Sequence, residues 1–337
     1  MVLACARPSE PARATKVGPT RALAEWEPAR GLLMTWPTGP AARSQAGGAA
    51  KEVLATLLRE FVPTTERLTV FAGSSTESMH RELSERGVAP ERVDLVALDT
   101  THFWLRDFGP LFAVGAEGLF VVDGRFTRYG RPFGFGDDEL PSLWAARRGL
   151  PMRRTTLVFD GGSIDVDGQG TALVSDQLFR RNSGWSEAQV RNELEQLLGV
   201  TRPLVVPTLE EDRNGHVDMV AKFLAPGRVL VGEYPPGTHR QAWADQLAFR
   251  LSAEHDARGA QLEVVRVPFP KGRWQNYANA LVHNDRVFVP SYGVSEDSSA
   301  RRVFERAYPG RRVVSIRSDA VIESGGAVHC LAMNDPF

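Results

Sequence analysis

Arg228-Val229-Leu230-Val231-Gly232-Glu233 is a short β-branched run that closes in turn residues, the pattern of a buried strand. Phrases of the same kind recur as Leu119-Phe-Val-Val-Asp-Gly124, Thr171-Ala-Leu-Val-Ser-Asp176 and Arg286-Val-Phe-Val-Pro-Ser291, with Leu68-Thr-Val-Phe-Ala-Gly73 before them. Their starts, at 68, 119, 171, 228 and 286, lie 51 to 58 residues apart. Helical spacing fills the intervals. Val53, Leu54, Leu57, Leu58 and Phe61 mark one helix over residues 48–61, and Val190, Leu194, Leu197 and Leu198 mark another over 186–198, with Ser186 as its N-cap. Residues 240–252 and 297–307 read alike. A mixed α/β unit recurring at this period predicts a radial or stacked array. The units share little sequence, so the period alone leaves an ordinary α/β sheet with chance spacing open.

The chain has 337 residues, 42% hydrophobic and 24% charged, the composition of a soluble globular protein with a sizeable core. Its formal net charge is −1 and it has no basic tract, which argues against nucleic-acid binding. No apolar run approaches the ~20 residues of a membrane span. Nothing in the chain indicates an oligomeric state. The two cysteines, Cys5 and Cys330, lie near opposite ends and make no disulfide framework. Val2-Leu3-Ala4-Cys5 loosely resembles a bacterial lipoprotein cleavage box, but only four residues precede the cysteine, too few for a signal peptide. A cytoplasmic setting is the default expectation, and an exported lipoprotein with a trimmed signal the alternative. Residues 1–20 read as a disordered lead-in or export remnant, and residues 21–337 as a single domain.

Several short motifs carry candidate chemistry. Cys330 closes Gly325-Gly326-Ala327-Val328-His329-Cys330, where the glycine pair lets backbone pass close to another group and a thiol could face a pocket. In Trp104-Leu-Arg-Asp-Phe-Gly-Pro110, Arg106 and Asp107 sit between a large aromatic and a forced turn; they read as a loop ion pair or as a carboxylate aimed into a pocket. Asn214-Gly-His-Val-Asp-Met-Val-Ala-Lys-Phe223 alternates, so as a strand it puts His216 and Asp218 on one face. An exposed strand edge fits the same pattern, and a metal site lacks a third ligand at a recognisable spacing. Asp160 follows an apolar run and precedes Gly161-Gly162, as a site carboxylate or as a turn cap. Asn279 ties down a turn or fixes a ligand. Arg128 and Arg131, in a glycine-rich loop, suit a substrate carboxylate or are plain surface residues.

Trp-x-Arg-Asp-x-Gly-Pro, Gly-His-x-Asp and the terminal Gly-Gly-x-x-His-Cys, in this order, resemble the agmatine deiminases and Porphyromonas-type peptidylarginine deiminases of the guanidino-group-modifying superfamily. The resemblance runs from about Glu25 to Pro336. It implies a five-bladed, pseudo-fivefold α/β-propeller of ββαβ-type modules around a central pocket. It implies Cys330 as nucleophile, His216 as general acid/base, and Asp218 and Asp107 as the carboxylates that grip the guanidinium, with Trp104, Asp160 and Asn279 beside the substrate. The implied reaction is hydrolysis of agmatine, or of free or peptidyl arginine, through a covalent thiouronium, with a small guanidino compound or an arginine-bearing peptide as partner and no metal or organic cofactor. An amidinotransferase with the same nucleophile, or an inactive binding propeller, are the alternatives. Two departures matter. Agmatine deiminases usually carry Glu where this chain has Asp160. The loop Thr127-Arg-Tyr-Gly-Arg-Pro132 looks closer to the peptidylarginine branch, so an arginine-lined rim is expected to favour substrates that bear a carboxylate.

Overall fold

The computed structural model describes residues 19–337, apart from 62–63, 74–75, 99, 128–135, 210 and 213. Arg128, Arg131, Cys5 and nearly all of the expected lead-in lie outside the described residues.

Five sheets form among the described residues, and each repeats one pattern. A first strand pairs antiparallel with a middle strand, and the middle strand pairs parallel with a third. The fourth sheet shows it plainly: Ala221–Ala225 runs antiparallel to Arg228–Glu233, which runs parallel to Glu263–Pro268. A parallel pair needs a crossover, and the helix His239–Ser252 provides it, capped by the Thr238 hydroxyl accepting from Gln241 N. Leu281–His283, Arg286–Ser291 and Arg312–Arg317 repeat the unit around the helix Glu296–Ala307. Ile164–Val166, Thr171–Ser175 and Arg202–Val206 repeat it around Glu187–Leu198, which opens on a full capping box between Ser186 and Gln189. Leu111–Gly115, Gly118–Arg125 and Met152–Val158 form the next, crossed by Leu140–Arg148 and edged by Arg21–Ala22. The remaining sheet takes its first strand from the C-terminus: Ala332–Asp335 pairs with Gly31–Thr35, which runs parallel to Arg67–Ala72 across the helix Gln45–Phe61. A C-terminal strand and an early strand of the described chain thus close one blade.

The expected helices all form, within a few residues of their predicted bounds. One strand expectation needs correcting. Four of the five repeated phrases are middle strands, but Arg67–Ala72 is a third strand, flanked by Gly31–Thr35 and Val93–Ala97. This third strand, unlike those of the other blades, is itself covered by an edge strand and is buried from Leu68 to Ala72, so it carries the apolar composition of a middle strand.

A short turn of chain precedes the first strand of every blade, and each carries one of the candidate residues. Asp107 lies in the helical turn Leu105–Phe108, Asp160 before the turn Gly161–Ser163, and Asp218 in the turn Val217–Met219. Asn279 stands just before Leu281–His283, and Cys330 in the turn Val328–Leu331. Neighbouring turns touch: a Cβ at Gly161 would stand 2.1 Å from the Arg106 carbonyl oxygen, and His329 N donates to the Asn279 carbonyl at 3.1 Å. The pseudosymmetry therefore gathers five side chains, spread over 223 residues from Asp107 to Cys330, into one ring.

Candidate active site

The Cys330 thiol is 2% exposed and held on several sides. Asn279 Nδ2 lies 3.0 Å from Sγ, while Asn279 Oδ1 accepts from the backbone N–H groups of Ala327 (3.0 Å) and Cys330 (3.2 Å). Asn279 is thus the brace of the Cys330 turn. Asp218 Oδ2 lies 3.5 Å from Sγ. Burial, followed by the negative charges of Asp218 and Asp107, pushes the thiol well above its ordinary pKa. The resting site holds a neutral thiol, and a positive ligand is what would draw out its thiolate.

His216 is buried among carboxylates. Its Nδ1 lies 3.6 Å from Asp107 Oδ1 and its Nε2 lies 3.3 Å from Asp160 Oδ2. Burial alone would disfavour the imidazolium, but the charges of Asp107, Asp160 and Asp218 outweigh it and raise the pKa to about 10. Asp160, fully buried, also forms an ion pair with Arg181.

The expected strand at 214–223 begins only at Ala221. His216 caps a 3-10 turn and Asp218 lies within it, so alternation is not what brings the two together. A turn of three residues aims i and i+2 in different directions: His216 faces Asp107 and Asp160, whereas Asp218 faces His329 and Cys330. They converge because the neighbouring blades place partners on both sides. Arg106 and Asp107 likewise diverge. Arg106 reaches the carbonyls of Ala332 (2.9 Å) and His329 (3.4 Å) and the carboxylate of Glu25 (3.4 Å).

Two glycines are needed for closeness. A Cβ at Gly162 would stand 2.8 Å from His216 Nδ1 and 3.2 Å from Asp107 Oδ1; one at Gly326 would stand 2.8 Å from Trp104 Cζ3 and 3.0 Å from Cys330 Sγ. Trp104 therefore walls the thiol turn. Gly162→Ala is expected to push His216 off its two carboxylates. That should lower kcat/KM roughly tenfold to hundredfold at a cost of about 1–3 kcal/mol in stability, read by steady-state kinetics and urea unfolding.

Sequence reasoning missed the ionic group behind Asp218. His329 Nδ1 meets Asp218 Oδ2 at 2.7 Å, and its Nε2 meets Glu25 Oε1 at 2.9 Å. Glu25 also pairs with the buried Lys222 and accepts from Val282 N at 3.2 Å. Burial opposes its charge, yet Lys222, His329 and Arg106 hold Glu25 well below the usual carboxylate range. One signal was present in the sequence: Lys222 stands alone among apolar residues of a buried strand, where an unpaired ammonium is costly.

A cleft of about 400 Å³ reaches His216 and Met219, and its lips carry Glu211, Asp212, Arg273, Trp274 and Glu323. Glu211 is ion-paired with Arg240, so the acidic excess at these lips rests on Asp212 and Glu323 against Arg273. Glu211 is steadied by His239 (3.1 Å) and Arg240.

The sequence profile of the Porphyromonas-type peptidyl-arginine deiminases matches residues 21–336. The chain belongs to that family. Among its relatives, a Streptomyces coelicolor protein provisionally named an agmatine deiminase is 34% identical over 93% of this chain and 97% of its own length. The agmatine deiminase of Medicago truncatula is 27% identical over 93% of this chain and 95% of its own. The solved structure of Enterococcus faecalis agmatine deiminase, 26% identical, superposes with a TM-score of 0.82 over 94% of this chain and 96% of the other. The five sheets are accordingly the blades of the pseudo-fivefold α/β-propeller, and this deiminase is a hydrolase of guanidino C–N bonds. No described helix is long and apolar enough to cross a membrane.

Proposed function

We propose that the guanidino group cleaved by this deiminase belongs to a small alkylguanidine with a cationic far end, agmatine being the compound of this kind that its relatives are named for. The observation that carries this reading is an excess of carboxylates both around the thiol and at the lips of the cleft that reaches His216. Asp107 and Asp218 lie around the thiol, and Glu211, Asp212 and Glu323 lie at the lips. A guanidinium fits the inner pair and an ammonium the outer group, whereas a substrate carboxylate would meet repulsion at these lips.

The roles follow from the charges. Asp107 and Asp218 accept the guanidinium N–H groups and hold its central carbon near Cys330. The bound cation offsets both carboxylates, so the thiol and His216 lose protons more readily than in the empty site. The Cys330 proton leaves to solvent as the cation binds. The thiolate forms the S–C bond while the guanidino C=N double bond opens, and the C–N bond then breaks as His216 donates its proton to the nitrogen that departs as ammonia. The neutral imidazole then takes a proton from water as its oxygen attacks the thiouronium. The C–S bond breaks, returning the thiolate and releasing a ureido product. A thiol nucleophile is kept reduced most easily in a reducing compartment, which supports a cytoplasmic setting.

Ureido product should form from agmatine with kcat/KM at least roughly tenfold above free arginine and arginyl peptides, the margin of one favourable ion pair. Glu323→Gln should narrow that margin. Higher kcat/KM on arginine or on a peptide would overturn the substrate assignment and return weight to the loop of Arg128 and Arg131.

A further inference from the structure

His329 adjoins the nucleophile in sequence, yet its ring turns from the thiol and spans two buried carboxylates, Glu25 at one nitrogen and Asp218 at the other. Ionised carboxylates only accept hydrogen bonds, so both ring nitrogens of His329 face acceptors. Glu25 is an anchored partner: Lys222, Arg106 and Val282 N also converge on it. Arg106 additionally holds the carbonyl of His329 itself. The other end is different. Asp218 Oδ2 takes the His329 bond, and Asp218 Oδ1 is buried with no hydrogen-bond partner among the described residues. A buried carboxylate oxygen without a donor is costly unless a ligand brings one.

We propose that His329 is a positioning residue, which transmits the fixed place of Glu25 to Asp218 so that Asp218 Oδ1 is held out for the substrate guanidinium. The inference rests on the role given to Asp218 above and deepens it. A carboxylate pinned through one oxygen presents the other in a single place, and its alignment cost is met before the ligand arrives. Glu25 would otherwise be remote from the chemistry, and its three other partners, Lys222, Arg106 and Val282 N, serve to keep the His329 ring still.

The test needs no assumption about the far end of the substrate. Chloroacetamidine carries an amidinium and chloroacetamide does not. Both alkylate a thiol, the thiolate displacing chloride as the S–C bond forms. The ratio of their rates at Cys330 measures how well the carboxylates grip a planar cation. In His329→Gln the amide nitrogen can replace only the donor to Glu25, and in His329→Asn only the donor to Asp218. The rate ratio should fall roughly tenfold to hundredfold in His329→Gln, the size of one hydrogen bond to a charged group. It should be largely kept in His329→Asn, and should fall no further when His329→Gln is added to Asp218→Asn. A purely structural ring predicts otherwise: both variants slowed alike with both reagents, or an unchanged ratio in His329→Gln. Either result overturns the proposal, as does failure of both variants to fold. If the original chain shows no preference for chloroacetamidine, the clamp itself is wrong. If it shows one but leaves agmatine intact, only the substrate assignment falls.

Discussion

Cys330→Ser is expected to cut ureido formation by at least about 10⁴-fold, the scale on which removing a covalent nucleophile acts, and to leave the protein folded. The fold should tolerate the change because Asn279 Oδ1 grips the backbone N–H groups of Ala327 and Cys330 independently of the side chain. Activity should not survive, because the reaction needs a thiolate. Burial and two carboxylates already hold the Cys330 thiol neutral in the resting site. A bound guanidinium can bring a thiol within reach of ionisation, but a serine hydroxyl starts far higher and stays protonated. The measurement is ammonia release together with mass spectrometry of acid-quenched protein. A thiouronium adduct should appear on the original chain and be missing from the variant. Turnover retained in Cys330→Ser would remove the covalent route altogether.

Asp107→Asn is expected to move two readouts in opposite directions. The Asp107 carboxylate is the largest of the charges that raise His216, and it also helps hold the Cys330 thiol up. Asparagine removes the charge while keeping the shape, so the thiol becomes more acidic and the neutral reagent chloroacetamide should modify Cys330 faster at pH 8. Half of the guanidinium grip is lost at the same time. Two hydrogen bonds to a charged group are worth about 3–6 kcal/mol together, so kcat/KM on a guanidino substrate should fall roughly 10²- to 10⁴-fold. A better nucleophile in a worse enzyme is the signature of a clamp. If alkylation and turnover both fall, Asp107 is holding the site together instead of gripping the cation.

The sign of the His216 shift also bears on stability. A group whose pKa is raised in the folded state contributes stability that is fully present below its unfolded value, near 6.5, and is lost as pH rises through the folded value, about 10. Deprotonating His216 in alkali leaves Asp107 and Asp160 buried side by side with less positive charge between them.

Much of this could be read from residues in order. The helix at Gln45–Phe61 was visible in its apolar spacing, and that at Glu187–Leu198 in its spacing and its Ser186 cap. The roles proposed for Cys330, His216, Asp107 and Asp218 were legible only through family resemblance, since no short motif here was specific alone. Strand alternation pointed to the convergence of His216 and Asp218 for the wrong reason. The residues form a 3-10 turn, and their environment comes from other blades.

The sequence by itself determined the repeating strand and helix units, the thiol behind a glycine pair, and the carboxylate-bearing motifs around Asp107, Asp160 and Asp218. These are local properties: side-chain type, spacing, and the backbone freedom of glycine. Only the tertiary structure decided which residues meet. Asp107, Asp160, Asp218, Asn279 and Cys330 recur at 51- to 61-residue spacing, but with three different side-chain types among them they share no motif. Their kinship is one of position, at the head of each blade's first strand, and pseudosymmetry alone brings them together. The ionic chain from Lys222 through Glu25 and His329 to Asp218 was hidden for the same reason. Its members lie up to 304 residues apart, and a buried charge reveals its partner only once the chain has folded around both.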